Sequence, residues 1–379
     1  MNILLKPASG ACNLRCSYCF YADEMAHRER GIIGRMSTST LDVIVKKTLD
    51  RAQGSCAFMF QGGEPTLVGL DFYRHLISSV REHNTKGVRV SYSIQTNGYA
   101  VDEEWAEFFA QNNFLVGLSL DGTGDIHDTN RRTPSGKGSF GRVSATAALF
   151  DRHRVQYNIL TVVTGLTARR ALSIYNYFKK QGYRYQQYIP CIEGFGETEP
   201  APWALDAGQY GKFLCRIFDA WYSDMMSGNY IYNRTFENWI GILTGRPPES
   251  CGMMGVCSPQ YVVEADGSVY PCDFYVLDGF RLGNLLCDSF EDIDRRREEI
   301  GFIEASKKVH PDCQKCRWYP LCRGGCRRER EPIVSGMPAK NRFCEAYRVF
   351  FPYAYERLIE LARLAARSVG HILSHEMHK

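Results

Sequence analysis

The sequence predicts an α/β fold, an open (β/α)6 partial barrel followed by a smaller cysteine-rich module. Three observations predict it. Six apolar, strand-like runs alternate with amphipathic helical segments through the first half of the chain. Polar, glycine-bearing motifs stand just past the strand ends, where parallel α/β folds carry their functional groups. From Cys251 onward the character changes, with nine cysteines in under a hundred residues. Domain division by content therefore falls into residues 1–230 and 231–379.

The strand-like runs are residues 2–7, 56–61, 88–96, 114–120, 155–163 and 184–189. Between them, residues 39–53, 71–83, 102–112, 140–154 and 168–181 show the three-to-four-residue apolar spacing of helices. Such alternation argues for parallel strands joined by right-handed crossovers, and six strands are too few for a closed eight-stranded barrel. Residues 190–205 are rich in Pro, Gly and Glu and read as a linker or loop. Two helices follow, near 207–227 and 234–244, and residues 344–379 read as one long helix.

The formal net charge of +4 is mild and no basic run is long enough for a binding tail, so nucleic acid is not an expected partner. No window approaches the ~18 apolar residues of a membrane span, and the first ten residues carry no secretory pattern. Fifteen cysteines in a chain expected in the reducing cytoplasm point to metal or catalysis and away from a disulfide framework.

Cys12, Cys16 and Cys19 stand at CxxxCxxC spacing after the first strand. Three thiolates can grip one soft metal centre, yet they leave a four-iron cluster one ligand short, which opens one iron to a small molecule. Half of a zinc site is the other reading, although structural zinc wants four closed ligands. The second run ends in Gln61-Gly62-Gly63-Glu64-Pro65: paired glycines admit a close approach of backbone, and a carboxylate there can meet an ammonium group. The third run ends in Gln95-Thr96-Asn97-Gly98 and the fourth in Ser119-Leu120-Asp121-Gly122, followed by His127 and Arg131. A plain turn at Asp121-Gly122 and an ordinary loop histidine at 127 are the bland readings.

The later cysteines fall at Cys251, Cys257 and Cys272, then Cys313, Cys316, Cys322, Cys326 and Cys344. Eight is two sets of four, as two closed tetrathiolate sites require, and zinc ribbons compete because CxxC pairs suit zinc. Spacing alone does not assign the ligands. A β-hairpin with an Asp266-Gly267 turn lies between Cys257 and Cys272. Directly after Cys272, Asp273 is a candidate general base, with a surface turn as the alternative. Of the cysteines left over, Cys56, Cys215 and Cys287 are expected in the core, and Cys191 has no assigned role. His371 and His375, four apart near the end, read as a solvated tail.

With Tyr18 before its last cysteine, the triplet reads CxxxCxφC, φ being aromatic, and the chain resembles the radical S-adenosylmethionine (SAM) enzymes. The cysteine-rich half resembles their SPASM-type extension. PCDFYVLD, FQGGEPTL, SIQTNG and CRWYPLCRGGCRR together resemble the anaerobic sulfatase-maturating enzymes nearly end to end, departing around residues 193–200. The resemblance implies a radical SAM partial barrel and three 4Fe–4S clusters. Cys12, Cys16 and Cys19 would hold the first; Cys251, Cys257, Cys272 and Cys326 the second; Cys313, Cys316, Cys322 and Cys344 the third. It places SAM against Tyr18, Gly62, Gly63, Glu64, Gln95, Ser119, Arg131 and Ile192, and the target residue against Tyr21 and Gln61.

The implied reaction oxidises a cysteine or serine of a sulfatase Cys/Ser-x-Pro-x-Arg motif to Cα-formylglycine. A 5′-deoxyadenosyl radical abstracts hydrogen, Asp273 deprotonates the target, and the auxiliary clusters offer the second electron a route out. A low-potential donor such as flavodoxin or ferredoxin is the implied redox partner, and cysteine is the favoured target. Two alternatives differ in class: a radical SAM maturase that crosslinks a small peptide, and a non-enzymatic multi-zinc adaptor. The first usually carries an N-terminal recognition wing, for which a first cysteine at residue 12 leaves no room.

Overall fold

The computed structural model describes the backbone of residues 1–197 and 199–376, and side-chain surroundings as far as residue 366. Contacts divide the chain into two compact units that interleave along the sequence. Unit 1 comprises Met1–Thr161, Ile192–Pro202 and Pro259–Phe302; unit 2 comprises Val162–Cys191, Trp203–Ser258 and Ile303–Lys379.

Unit 1 is built on strands β1 (Asn2–Lys6), β2 (Ser55–Phe60), β3 (Arg89–Thr96), β4 (Phe114–Ser119) and β5, which spans Gln156–Val163 and leaves the unit after Thr161. Neighbours in that order pair in parallel. The crossovers are helices α1 (Phe20–Ala26), α2 (Thr38–Arg51), α3 (Leu70–His83), α4 (Glu103–Gln111) and α5 (Phe140–His153). Alternation along β2, with Cys56, Phe58 and Phe60 inside, is what a strand against a helical layer requires. Helix starts follow local chemistry: the Ser37 side chain accepts from the Thr40 N–H and Asp102 from the Trp105 N–H.

The hairpin of the cysteine-rich half is not a separate module. Strand Val262–Glu264 pairs parallel with β1, in register Leu4↔Val262, Leu5↔Val263 and Lys6↔Glu264. Ser268–Tyr270 returns antiparallel to it, and Gly283–Asn284 closes this edge. Residues 259–302 therefore extend the sheet of unit 1, whereas the division at residue 230 follows motif content.

Unit 2 contains the sixth expected strand, Tyr185–Pro190, paired parallel with Tyr232–Asn233. Its core is aromatic: Phe218, Trp221, Phe236, Trp239, Phe350 and Phe351 stack or meet edge-to-face. These residues come from Ala207–Met226, Arg234–Leu243 and the long helix Cys344–Glu376, which contains Pro352. The helix expected over 168–181 is two, Gly165–Arg169 and Ala171–Gln181, because Thr164 caps the first and Arg170 at the junction leaves helical geometry.

Cys56 and Cys191 are buried and Cys215 half-buried, but Cys287, expected in the core, is exposed. It follows the edge strand, and its thiol lies 3.5 Å from the Asn284 carbonyl. His127 is not a loop histidine: it sits fully buried in helix Gly124–Asn130, its Nδ1 accepting from the Asp121 N–H and its Nε2 2.9 Å from Ser139 Oγ. Burial lowers its pKa to about 4, so it stays neutral. The His371 and His375 side chains lie outside the described residues.

Trp221 is fully buried and donates Nε1–H to the Ile231 carbonyl at 2.7 Å. Replacing it by Ala removes that bond and leaves a cavity at the centre of the cluster. We expect Trp221→Ala to lower unfolding free energy by about 3–5 kcal/mol. Leu172→Ala, at an exposed position, should cost under about 0.5 kcal/mol. Urea titrations followed by far-UV circular dichroism check both.

Candidate active site

The first cysteine loop is packed onto the turn after β2, and this packing explains the paired glycines. The Gly63 N–H donates to the Ser9 carbonyl at 2.9 Å and the Glu64 N–H to the Ala11 carbonyl at 2.7 Å. A Cβ on Gly63 would meet the Ala11 oxygen at 2.1 Å, so no side chain fits there; Gly62 also needs its positive φ of 123°. Glu64 is thereby drawn inside, 1% exposed. Its Oε1 accepts from the Thr66 N–H, Thr66 Oγ1 and Thr96 Oγ1, and its Oε2 from the Asn97 N–H at 2.8 Å. Burial raises its pKa against the pull of these donors, all of them neutral. A carboxyl in that setting is complementary to an ammonium group.

Cys12, Cys16 and Cys19 are half-buried. As free thiols, burial pushes Cys12 up to about 12 and Cys16 to about 11. A bound metal would reverse that preference, since coordinated thiols are deprotonated. Cys12 Sγ already receives the Leu14 N–H at 3.4 Å and Asn97 Nδ2–H at 3.6 Å. Among the described residues, no group of three or more His, Cys, Asp or Glu is spaced for a single ion. The fit of the triplet to an iron–sulfur cluster rests on its soft donors and their solvent shielding.

Other expected SAM contacts are brought together in pairs. Gln95 Nε2 donates to Ser119 Oγ at 3.0 Å, and a side chain at Gly117 would strike Gln95 Oε1 at 2.2 Å. Arg131 lies 5.4 Å over the Tyr18 ring, and both side chains donate to Asp121, Arg131 Nε at 2.9 Å. Asp121, for which a plain turn was the bland reading, is 1% exposed and anchors this side of the site. Arg131 Nη1 also stands 3.9 Å from Cys16 Sγ. Ile192 is half-buried at the start of a segment held by Asp23, whose Oδ2 accepts the Phe195 N–H at 3.0 Å.

Asp273 opens the short 3-10 turn Asp273–Tyr275. Its Oδ2 accepts Tyr21 O–H at 2.6 Å and Gln61 Nε2–H at 3.0 Å. Tyr21 and Gln61, expected at the target residue, thus both reach this carboxylate. Oδ1 has no hydrogen-bond partner and faces Lys6 Nζ at 3.8 Å, near enough for an ion pair and too far for a hydrogen bond. Lys6 is 1% exposed, stands 3.5 Å from Glu24 Oε2 and lies 4.3 Å over the Tyr21 ring. Glu24 Oε1 in turn accepts the Val276 N–H at 3.2 Å, tying the turn to α1. Burial raises both carboxyls, Glu24 to about 8, against the pull of Lys6. Lys6 and Glu24 were missed from sequence; the one available signal was a lysine ending an apolar strand.

In unit 2 the thiols form two groups. Cys326 lies near Cys251 and Cys257, close enough for each to disfavour its thiolate, and its Cβ stands 3.5 Å from where a Cβ on Gly252 would be. Cys322 interacts instead with Cys313 and Cys344, and Cys316 with Cys313. That division interleaves the two sets along the chain. Cys272 lies in unit 1, directly before the Asp273 turn.

The radical SAM superfamily model matches residues 7–178 and the SPASM iron–sulfur cluster-binding domain model residues 251–317. The chain is 45% identical over 367 residues to the cysteine-type anaerobic sulfatase-maturating enzyme of Clostridium novyi (strain NT), covering 97% of this chain and 98% of the relative. It is 43% identical over 363 residues to the enzyme of that name from Clostridium perfringens (strain ATCC 13124), covering 96% and 98%. The solved structure of native anSMEcpe with bound AdoMet and Cp18Cys peptide superposes with a TM-score of 0.91 at 43% identity, covering 96% of this chain and 99% of that one. With its radical SAM domain and C-terminal SPASM domain, the chain belongs to the anaerobic sulfatase-maturating enzymes.

Proposed function

We propose that this chain oxidises a cysteine, and less readily a serine, of a sulfatase Cys/Ser-x-Pro-x-Arg segment to Cα-formylglycine, with Asp273 Oδ1 as the atom that accepts the target's proton. The supporting observation is the asymmetry of that carboxylate. Oδ2 is held by two donors while Oδ1 has none and faces a buried lysine. Cysteine is preferred by analogy with the cysteine-type relatives.

What SAM and the iron–sulfur clusters supply when bound is homolytic removal of a hydrogen atom from Cβ, a bond too strong for any side-chain base at neutral pH. Cys12, Cys16 and Cys19 would hold the first cluster, and Glu64, Ser119, Gln95 and the Tyr18–Arg131 pair would surround SAM. The thiol groups of unit 2 would hold auxiliary clusters. We assign radical chemistry to residues 1–230 and auxiliary-cluster binding to 231–379, with the Asp273 turn returned to the first sheet by the hairpin. Tyr21 and Gln61 orient the base. Lys6 keeps its carboxylate available in a desolvated setting, which would otherwise favour the protonated acid. Among the described residues no helix is long and apolar enough to cross a membrane. Cysteine usage supports a cytoplasmic enzyme, and a low-potential flavodoxin or ferredoxin is the proposed electron donor.

Anaerobically reconstituted protein, given SAM, dithionite and a peptide containing Cys-x-Pro-x-Arg, should release 5′-deoxyadenosine and convert the cysteine to an aldehyde of lower mass. SAM cleavage with an unchanged peptide mass would refute the reading. Asp273→Asn should slow aldehyde formation by about 10²–10⁴-fold with iron content unchanged; full activity would remove Asp273 from the base role. The base must be ionised to act, and Lys6 lowers its pKa. Lys6→Met should therefore move the acid limb of the kcat/KM–pH profile to higher pH and cost roughly tenfold at neutrality. The loss should be recovered in alkali, and an unmoved limb contradicts it.

A further inference from the structure

We propose that Asn97 sets the reduction potential of the cluster held by Cys12, Cys16 and Cys19, by an N–H···S hydrogen bond to Cys12, and couples that ligand to Glu64 through its own backbone. The inference rests on the assignment of those three cysteines as ligands.

Asn97 stands directly after β3 and is 7% exposed. Each polar atom of its amide has a defined partner. Oδ1 accepts the Tyr99 N–H at 2.9 Å; a backbone N–H can only donate, so this contact fixes which end of the amide is oxygen. Nδ2 consequently faces the cysteine loop, 2.8 Å from Asn13 Oδ1 and 3.6 Å from Cys12 Sγ. The second distance lies within reach of a hydrogen bond to sulfur, which is larger and softer than oxygen. The Asn97 N–H donates to Glu64 Oε2 at 2.8 Å, and Thr96 Oγ1 to the other oxygen at 2.7 Å. One dipeptide at a strand end thus grips a cluster ligand and the carboxylate assigned to the SAM ammonium.

A reduced cluster carries one more negative charge, part of it on the thiolate sulfurs. Hydrogen bonds to those sulfurs and shielding from solvent are among the factors that set such potentials. A buried donor aimed at Cys12 Sγ stabilises the reduced form and raises the potential. Among the described residues, the other donor to that sulfur is the Leu14 backbone N–H at 3.4 Å, which no side-chain substitution removes. Asn97 is therefore the adjustable part of the ligand's hydrogen bonding.

The test is a dye-mediated redox titration of anaerobically reconstituted full chain, followed by electron paramagnetic resonance. The first cluster is identified as the one whose signal changes when SAM is added. Asn97→Ala removes the donor. Asn97→Asp keeps the shape and the acceptor for Tyr99 N–H but removes both Nδ2 donors and adds negative charge. We expect the reduction equilibrium constant to fall about tenfold in Asn97→Ala, about 59 mV for one electron, and further in Asn97→Asp, with iron content at the wild-type level in both. Unchanged potentials in both variants, or loss of the SAM-responsive cluster in both, would overturn the inference; the second result would make Asn97 a scaffold residue only. A SAM-responsive signal that survives the Cys12/Cys16/Cys19→Ala triple variant would instead overturn the ligand assignment itself.

Discussion

The site depends on one piece of strand pairing, the parallel ladder between β1 and Val262–Glu264. Ile3, Leu5, Val262 and Val263 are fully buried, so the register is set by apolar contact on both strands. A slip of one residue would turn those side chains to the opposite face. With the register fixed, the hairpin brings the chain back at Tyr270, and Asp273 arrives three residues later beside Lys6, the last residue of β1. A second buried link, Arg28 to Glu264 at 2.7 Å, holds the same strand to the segment after α1. The proposed base is thus delivered by a strand from the later half of the sequence to a lysine near its start.

The charges gathered there do not balance if every group ionises. Lys6 faces two carboxyls, Glu24 and Asp273, and all three are shielded from solvent. One ammonium faces two buried carboxyls, and burial raises the pKa of both acids against its pull. Both acids titrate against the one lysine they share, so their titration belongs to the pair and not to either residue. Geometry favours Asp273 over Glu24 as the proposed base. Glu24 spends one oxygen on Val276 N–H and the other on Lys6, whereas Asp273 keeps Oδ1 without a hydrogen bond.

Much of this was legible in the sequence because strand-end motifs are local. All six strand-like runs became strands within a residue or two, and Gly62-Gly63-Glu64, Gln95 and Ser119 stand at the ends where they were expected. Side-chain partnerships across long sequence separations were not legible. Lys6 and Asp273 are 267 positions apart, and a lysine ending an apolar strand does not name its partner. Asp121 followed by glycine reads as a turn in any chain; only the fold shows Arg131 and Tyr18 closing on it. The hairpin was visible, but its attachment to β1 was not, since edge pairing leaves no periodicity of its own.

Glu64 and Asp121 show why two buried acids on one side of a sheet need different treatment. Asp121 is neutralised within the protein by Arg131, whose Nε and Nη2 both reach it. Glu64 is held only by neutral donors from Thr66, Thr96 and Asn97. Neutral donors stabilise a carboxylate but do not cancel its charge, so its field remains to attract a cation. SAM carries two positive centres, the sulfonium and the ammonium, with one carboxylate. On the proposed reading, a Glu64 held by neutral donors alone and an Arg131 shared with Asp121 would discriminate between the ends of such a molecule: the ammonium would be drawn to the turn after β2, and the anionic end to the side where the guanidinium stands.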